Sequence, residues 1–148
     1  MKFSDVYSKF LSTIKSCTLA IFSPQEIEDE LFDLITLSIA EFKFPKISLA
    51  YEFDEEEEEY YFVEEPRDAE IRVLIAIMRA NWVSYQLTQE QNFDSQYYDS
   101  NTRTYSKANM IAQLEKLYST LQQAAKQLEY DYNRVALDGT PQIGQIEW

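Results

Sequence analysis

The chain has 148 residues, with 26 acidic against 13 basic side chains, a formal charge of −13 and no histidine. A balance of that sign excludes nonspecific grip on a nucleic-acid backbone unless basic residues gather locally, and no run of the sequence gathers them. With one cysteine and two glycines, there is no material for an intramolecular disulfide framework, a cysteine–histidine catalytic pair or a glycine-rich phosphate loop.

This length predicts one domain, burying roughly two-thirds of the surface that the unfolded chain exposes. An apolar share of 45% is that of a globular protein rather than a disordered acidic chain. Eleven tyrosines and nine phenylalanines exceed what a small core consumes, and tyrosine suits interfaces because it joins contact area to a hydroxyl. The N-terminal segment has the apolar content of a leader, but Asp5, Lys9 and Lys15 interrupt it, so secretion is not expected. No run reaches the 18 or so apolar residues of a membrane span.

In chain order, Phe3, Tyr7, Phe10 and Ile14, with Leu11 beside them, predict a first amphipathic helix capped by Ser4 and ending near Cys17. Cys17 reads as a small buried residue at that end. Ser23-Pro24-Gln25-Glu26 is a start signal: serine at the cap, proline in the first turn, glutamate where a capping box needs it. The second helix then runs to about Phe42, with Ile27, Leu31, Leu34, Ile35, Ser38 and Phe42 inward and Glu28, Asp29 and Asp33 outward. Pro45 ends it.

Between residues 47 and 63 two β-capable arms flank an acidic loop, Asp54 to Glu59, which predicts a short hairpin that must pack on the helices or on another subunit. A third helix enters through Glu64-Glu65-Pro66 and buries Ile71, Leu74, Ile75, Met78, Trp82 and Tyr85, widened by Val73, Ile77 and Ala80. Gln89 to Thr102 reads as a polar connection. From about Tyr105, a fourth helix carries Ile111, Leu114, Tyr118, Leu121, Ala125, Leu128, Tyr132 and Val135 at alternating steps of three and four. Tyr118, Ala125 and Tyr132 stand where a coiled coil wants leucine, so packing on the third helix is expected. The whole predicts a mainly α-helical, four-helix bundle-like adaptor domain over 1–136, with an acidic loop or hairpin inserted at 46–65 and an extended C-terminal arm over 137–148.

The acidic run Glu52, Asp54, Glu55, Glu56, Glu57, Glu58 and Glu59 lacks the spacing and the glycine of a calcium loop, so no metal site is expected. It reads either as a solvated, self-repelling loop or as an electrostatic surface that meets a basic partner or lines a conduit. Glu26 with Glu30 and Glu64 with Asp68 are one turn apart, but nothing in the surrounding sequence raises a carboxyl pKa for acid–base work. No enzyme and no cofactor are expected. In the tail, Ile143, Ile146 and Trp148 are apolar residues broken by Gly139, Pro141 and Gly144, which reads either as a disordered end or as an extended arm that orders on a neighbouring chain. Tyr97 and Tyr98 in the polar connection are further candidate contacts.

Asp68-Ala-Glu-Ile-Arg-Val-Leu-Ile-Ala-Ile-Met-Arg-Ala-Asn-Trp82, a polar linker, then Tyr105-Ser-Lys-Ala-Asn109 with Leu114 and Leu117 resemble the small helical neck proteins of tailed bacteriophages. These head-completion or head–tail adaptor proteins dock on the portal. The likeness lies in element order and a few residues, over Met1 to Val135. It implies a homo-oligomeric, dodecameric ring under the portal in the virion, joined below by another neck or tail protein, through which packaged DNA passes without specific binding. It also implies that Trp82, Tyr105, Ser106 and Asn109 fix the turn between the last two helices. The acidic loop and the tail depart from the family pattern. The alternative is an acidic interaction module, or a nucleic-acid mimic, that blocks a basic host surface.

Overall fold

The computed structural model describes residues 1–14, 24–94 and 101–135, with side chains over 1–14, 27–89 and 108–135. In these residues the order is α1 (Phe3–Thr13), α2 (Pro24–Glu41), β1 (Tyr51–Asp54), β2 (Glu59–Phe62), α3 (Asp68–Asp94) and α4 (Asn101–Asn133). The fold is mainly α-helical with one short antiparallel hairpin, as the spacing predicts. No helix among the described residues is long and apolar enough to cross a membrane.

α3 is the centre. It packs against α1, α2 and α4, and Leu74 and Met78 are fully enclosed. Its apolar sector is too wide for a single partner, so three helices share it. From α1 come Phe3, Val6 and Phe10, and from α2 come Leu31, Leu34 and Ile35, all buried. The predicted inward face of α2 is the observed one, including buried Ser38, whose hydroxyl donates to the Leu34 carbonyl at 2.7 Å. Asn81 of α3 donates to that same Ser38 oxygen at 3.2 Å and to Glu41 at 3.0 Å, tying α2 to α3.

Four boundaries differ from expectation. Lys2, not Ser4, is the residue before α1, and the Asp5 carboxylate accepts the Lys2 amide at 3.1 Å. An acid at the third helical position thus replaces the hydroxyl cap. α1 ends at Thr13; Cys17 and Ser23 lie outside the described residues. Helix occupies both ends of the segment read as a polar connection, because α3 continues to Asp94 and α4 begins at Asn101. Gln89, Glu90 and Gln91 are competent helix formers, and polarity without glycine or proline does not stop a helix. Residues 95–100, with Tyr97 and Tyr98, lie outside the described part. Lastly, Asp54 and Glu59 form the last strand pair, leaving only Glu55–Glu58 in the loop.

α3 spans 27 residues and α4 spans 33, about 40 and 50 Å of helix at 1.5 Å per residue. They run antiparallel, since Tyr132 near the end of α4 donates to Glu70 in the first turn of α3 at 3.1 Å. Burial along α4 is uneven. Ala125 and Tyr132 are enclosed, whereas Met110 and Leu117, toward the other end, are 40% and 45% exposed.

Candidate functional site

The hairpin sits on an aromatic cluster gathered from three elements. Phe3 of α1 places its ring 5.1 Å from Tyr51, 5.8 Å from Tyr60 and 5.0 Å from Phe62, while Phe32 of α2 lies 4.7 Å from Tyr60. Tyr51 pairs with Phe62 and Phe53 with Tyr60, so alternate residues bring all four rings to the face turned toward the helices. Part of the aromatic content thus serves to dock a two-stranded sheet that would be marginal alone.

On that base the acidic residues divide by task. Glu59 accepts the Ser4 amide at 2.8 Å, a carboxylate at the positive end of α1. Lys2 and Glu57 form an ion pair. Asp54 accepts the amides of Glu56 at 2.9 Å and Glu57 at 3.3 Å, closing the turn in place of a glycine-rich loop. Glu52 accepts the Tyr61 hydroxyl at 3.0 Å on the outer face, and that bond raises the Tyr61 pKa. Glu55, Glu56 and Glu58 are exposed, and Glu58 holds the left-handed backbone, at φ 54°, that reverses the chain. The run is therefore a folded turn tied to α1 rather than a loose acidic loop.

Under this turn lies a cleft of about 510 Å³ between α1, α2 and the hairpin. Phe3, Tyr7, Phe32, Phe53 and Tyr60 form its apolar walls, and Glu28, Asp29, Glu57, Glu58 and Glu59 supply carboxylates. Burial, then the charges of Glu59 and Glu28, push the Tyr7 hydroxyl well above its ordinary pKa, so it stays a neutral donor. Aromatic faces beside carboxylates form a site for a cation. None of Glu28, Asp29, Tyr7 and Phe32 is singled out by the sequence as part of the acidic site; the one available signal was the acidic first turns of α2. Among the described residues no group of side chains is arranged to hold a metal ion.

A second polar constellation was also missed. Glu70 is fully buried. Arg67 donates to it through Nε at 2.9 and 3.1 Å, and Tyr132 through its hydroxyl at 3.1 Å. The Lys46 amide donates to the Tyr132 oxygen at 2.8 Å, and its ammonium lies 4.4 Å from the centre of the same ring. Burial pushes the Glu70 carboxyl up, but the Arg67 and Tyr132 hydrogen bonds outweigh it and leave the pKa below the ordinary value. Burial raises the Tyr132 hydroxyl. The group locks the start of α3 and the end of α4 to the loop after α2; the i, i+3 spacing of Arg67 and Glu70 was its trace in the sequence.

The residues tied to the inter-helix turn are placed elsewhere. Trp82 lies twelve positions before the end of α3, edge-on to Phe10 at 6.4 Å and stacked on Tyr85 at 6.0 Å, so it joins α3 to α1. Tyr105, Ser106 and Asn109 lie inside α4, which begins at Asn101, and so fall past the turn that they are expected to fix; Asn109 is exposed, and the side chains of the other two are outside the described part. Ile143, Ile146 and Trp148 also lie outside the described residues.

No family model, no curated protein and no solved structure matches this chain.

Proposed function

We propose that this protein is a structural adaptor of the head–tail junction of a tailed phage, one subunit of a ring docked on the portal. Its support is an α3–α4 pair on whose outer half Met110 and Leu117 are left uncovered among the described residues, as in a stem that packs against neighbours. The resemblance of α3 and α4 to phage neck proteins gives the assembly its place. In such a ring, acidic surfaces let DNA slide without binding it. The test mixes purified protein with portal assemblies and images the product, with mass spectrometry of purified particles beside it. Ring-shaped density on the portal and the protein in the particle are expected; absence from both overturns the reading.

The acidic, aromatic-walled cleft favours a second reading, a module that covers a basic surface of a host protein. Tight, salt-sensitive binding to a host nuclease or polymerase, with no protein in the particles, selects it.

A further inference from the structure

Among the described residues the hairpin has one closed edge and one open one. The Val63 amide donates to the Ala50 carbonyl at 2.9 Å. Antiparallel pairing alternates, so Ala50, Glu52 and Asp54 turn their backbone groups toward β2, and Tyr51 and Phe53 turn theirs away. The outer groups of β2 are engaged by the N-terminal segment: the Phe62 amide donates to the Met1 carbonyl at 2.9 Å, and Lys2 bridges to Tyr61. Among the described residues nothing takes up the outer groups of Tyr51 and Phe53, and Ala50 to Phe53 are all exposed. An open edge is a template for one more strand.

Charge selects the strand. Glu52 and Asp54 lie along this edge and Glu55 to Glu58 continue it. A second copy laid edge to edge would set carboxylate against carboxylate, which is unfavourable. A basic segment would be drawn in by the same groups. Geometry then places one of its side chains. In an added strand the residue opposite Phe53 points to the same face as Phe53, which is a wall of the cleft. There a lysine or arginine lays its stem on the rings of Phe53, Tyr60 and Phe32 and brings its charge to Glu28 and Glu58.

We propose that β1 receives an extended basic segment of a partner protein by strand addition, with an arginine or lysine of that segment seated in the aromatic cleft. The inference goes beyond the adaptor reading and holds or fails on the isolated chain, whether or not the protein is found in particles.

The test uses a blocked nine-residue peptide of alternating arginine and valine at physiological salt, with two analogues N-methylated at the arginine amides or at the valine amides. All three carry the same charge, but each methylation closes a different edge of the peptide strand. Strand addition predicts at least a tenfold loss of affinity for one analogue only. It also predicts at least tenfold slower hydrogen exchange at the Tyr51 and Phe53 amides, with Glu52, already facing β2, unchanged. A Glu28→Gln/Glu58→Gln protein should bind the parent peptide several-fold more weakly than a Glu55→Gln/Glu56→Gln protein of equal charge. Any other pattern overturns the proposal: no binding, equal binding of the three peptides, or equal weakening by the two charge variants, which marks a diffuse attraction to an acidic surface.

Discussion

At the scale of single residues, Phe3 does the most. Its ring is 1% exposed and meets Tyr7, Phe32, Tyr51, Tyr60 and Phe62. Phe3→Ala removes the joint between α1, α2 and the hairpin, and should cost about 3–5 kcal/mol in chemical denaturation. Tyr132→Phe deletes a hydroxyl that donates to buried Glu70 and accepts from Lys46, and a loss of about 1–3 kcal/mol is expected by the same measurement. Glu70 also makes stability depend on pH. Its folded pKa lies below the ordinary 4.5, so the stabilisation is complete above that value and is lost as pH falls through the lower folded value. Urea midpoints between pH 7 and pH 3 should show a steeper acid loss for the natural protein than for Glu70→Gln. Glu58 takes a left-handed backbone without being glycine, and Glu58→Gly should raise stability by up to about 1 kcal/mol, read as a higher melting temperature.

At the scale of elements, the hairpin and α4 show opposite dependences. The hairpin is clamped on one face and along β2: rings below, the N-terminal segment beside β2, and Glu59 on the first turn of α1. α4 is anchored at its C-terminal half by Tyr132 and by Glu129, which accepts the Lys43 amide at 2.6 Å, and is thinly covered before that. Met110→Glu together with Leu117→Glu should therefore leave the denaturation midpoint of the isolated chain nearly unchanged while abolishing the proposed assembly on a portal. A large loss of stability would mean that those residues serve the chain's own core. Existence, order and inward faces of the helices were legible, save for Val135, which is exposed beyond the end of α4, because large apolar residues at three- and four-residue spacing line up on one side of a helix and scatter over both faces of a strand. The ends of α3 and α4 were not, since a polar helix and a polar loop share a composition when neither glycine nor proline decides between them.

For the molecule as a whole, the segment from 137 onward is predicted to serve assembly rather than folding, because Gly139, Pro141 and Gly144 deny it a periodic apolar face. Truncation after Ala136 should leave the denaturation midpoint nearly intact and weaken the proposed binding to a portal; unfolding of the truncated chain would place Ile143, Ile146 and Trp148 in the core. By itself the sequence determined the helical class, the proline-marked start of α2, the width of α3 and the acidic character of the hairpin. Each follows from local spacing, propensity or charge, which act between neighbours along the chain. Only the tertiary structure decided that Glu28 and Phe32 face the acidic turn, that Glu59 serves α1, that Trp82 meets Phe10, and that Arg67, Glu70, Lys46 and Tyr132 close into one network. Those pairings join residues distant in sequence, and their partners are chosen by how whole faces of helices and strands pack, a quantity no local window of the chain contains.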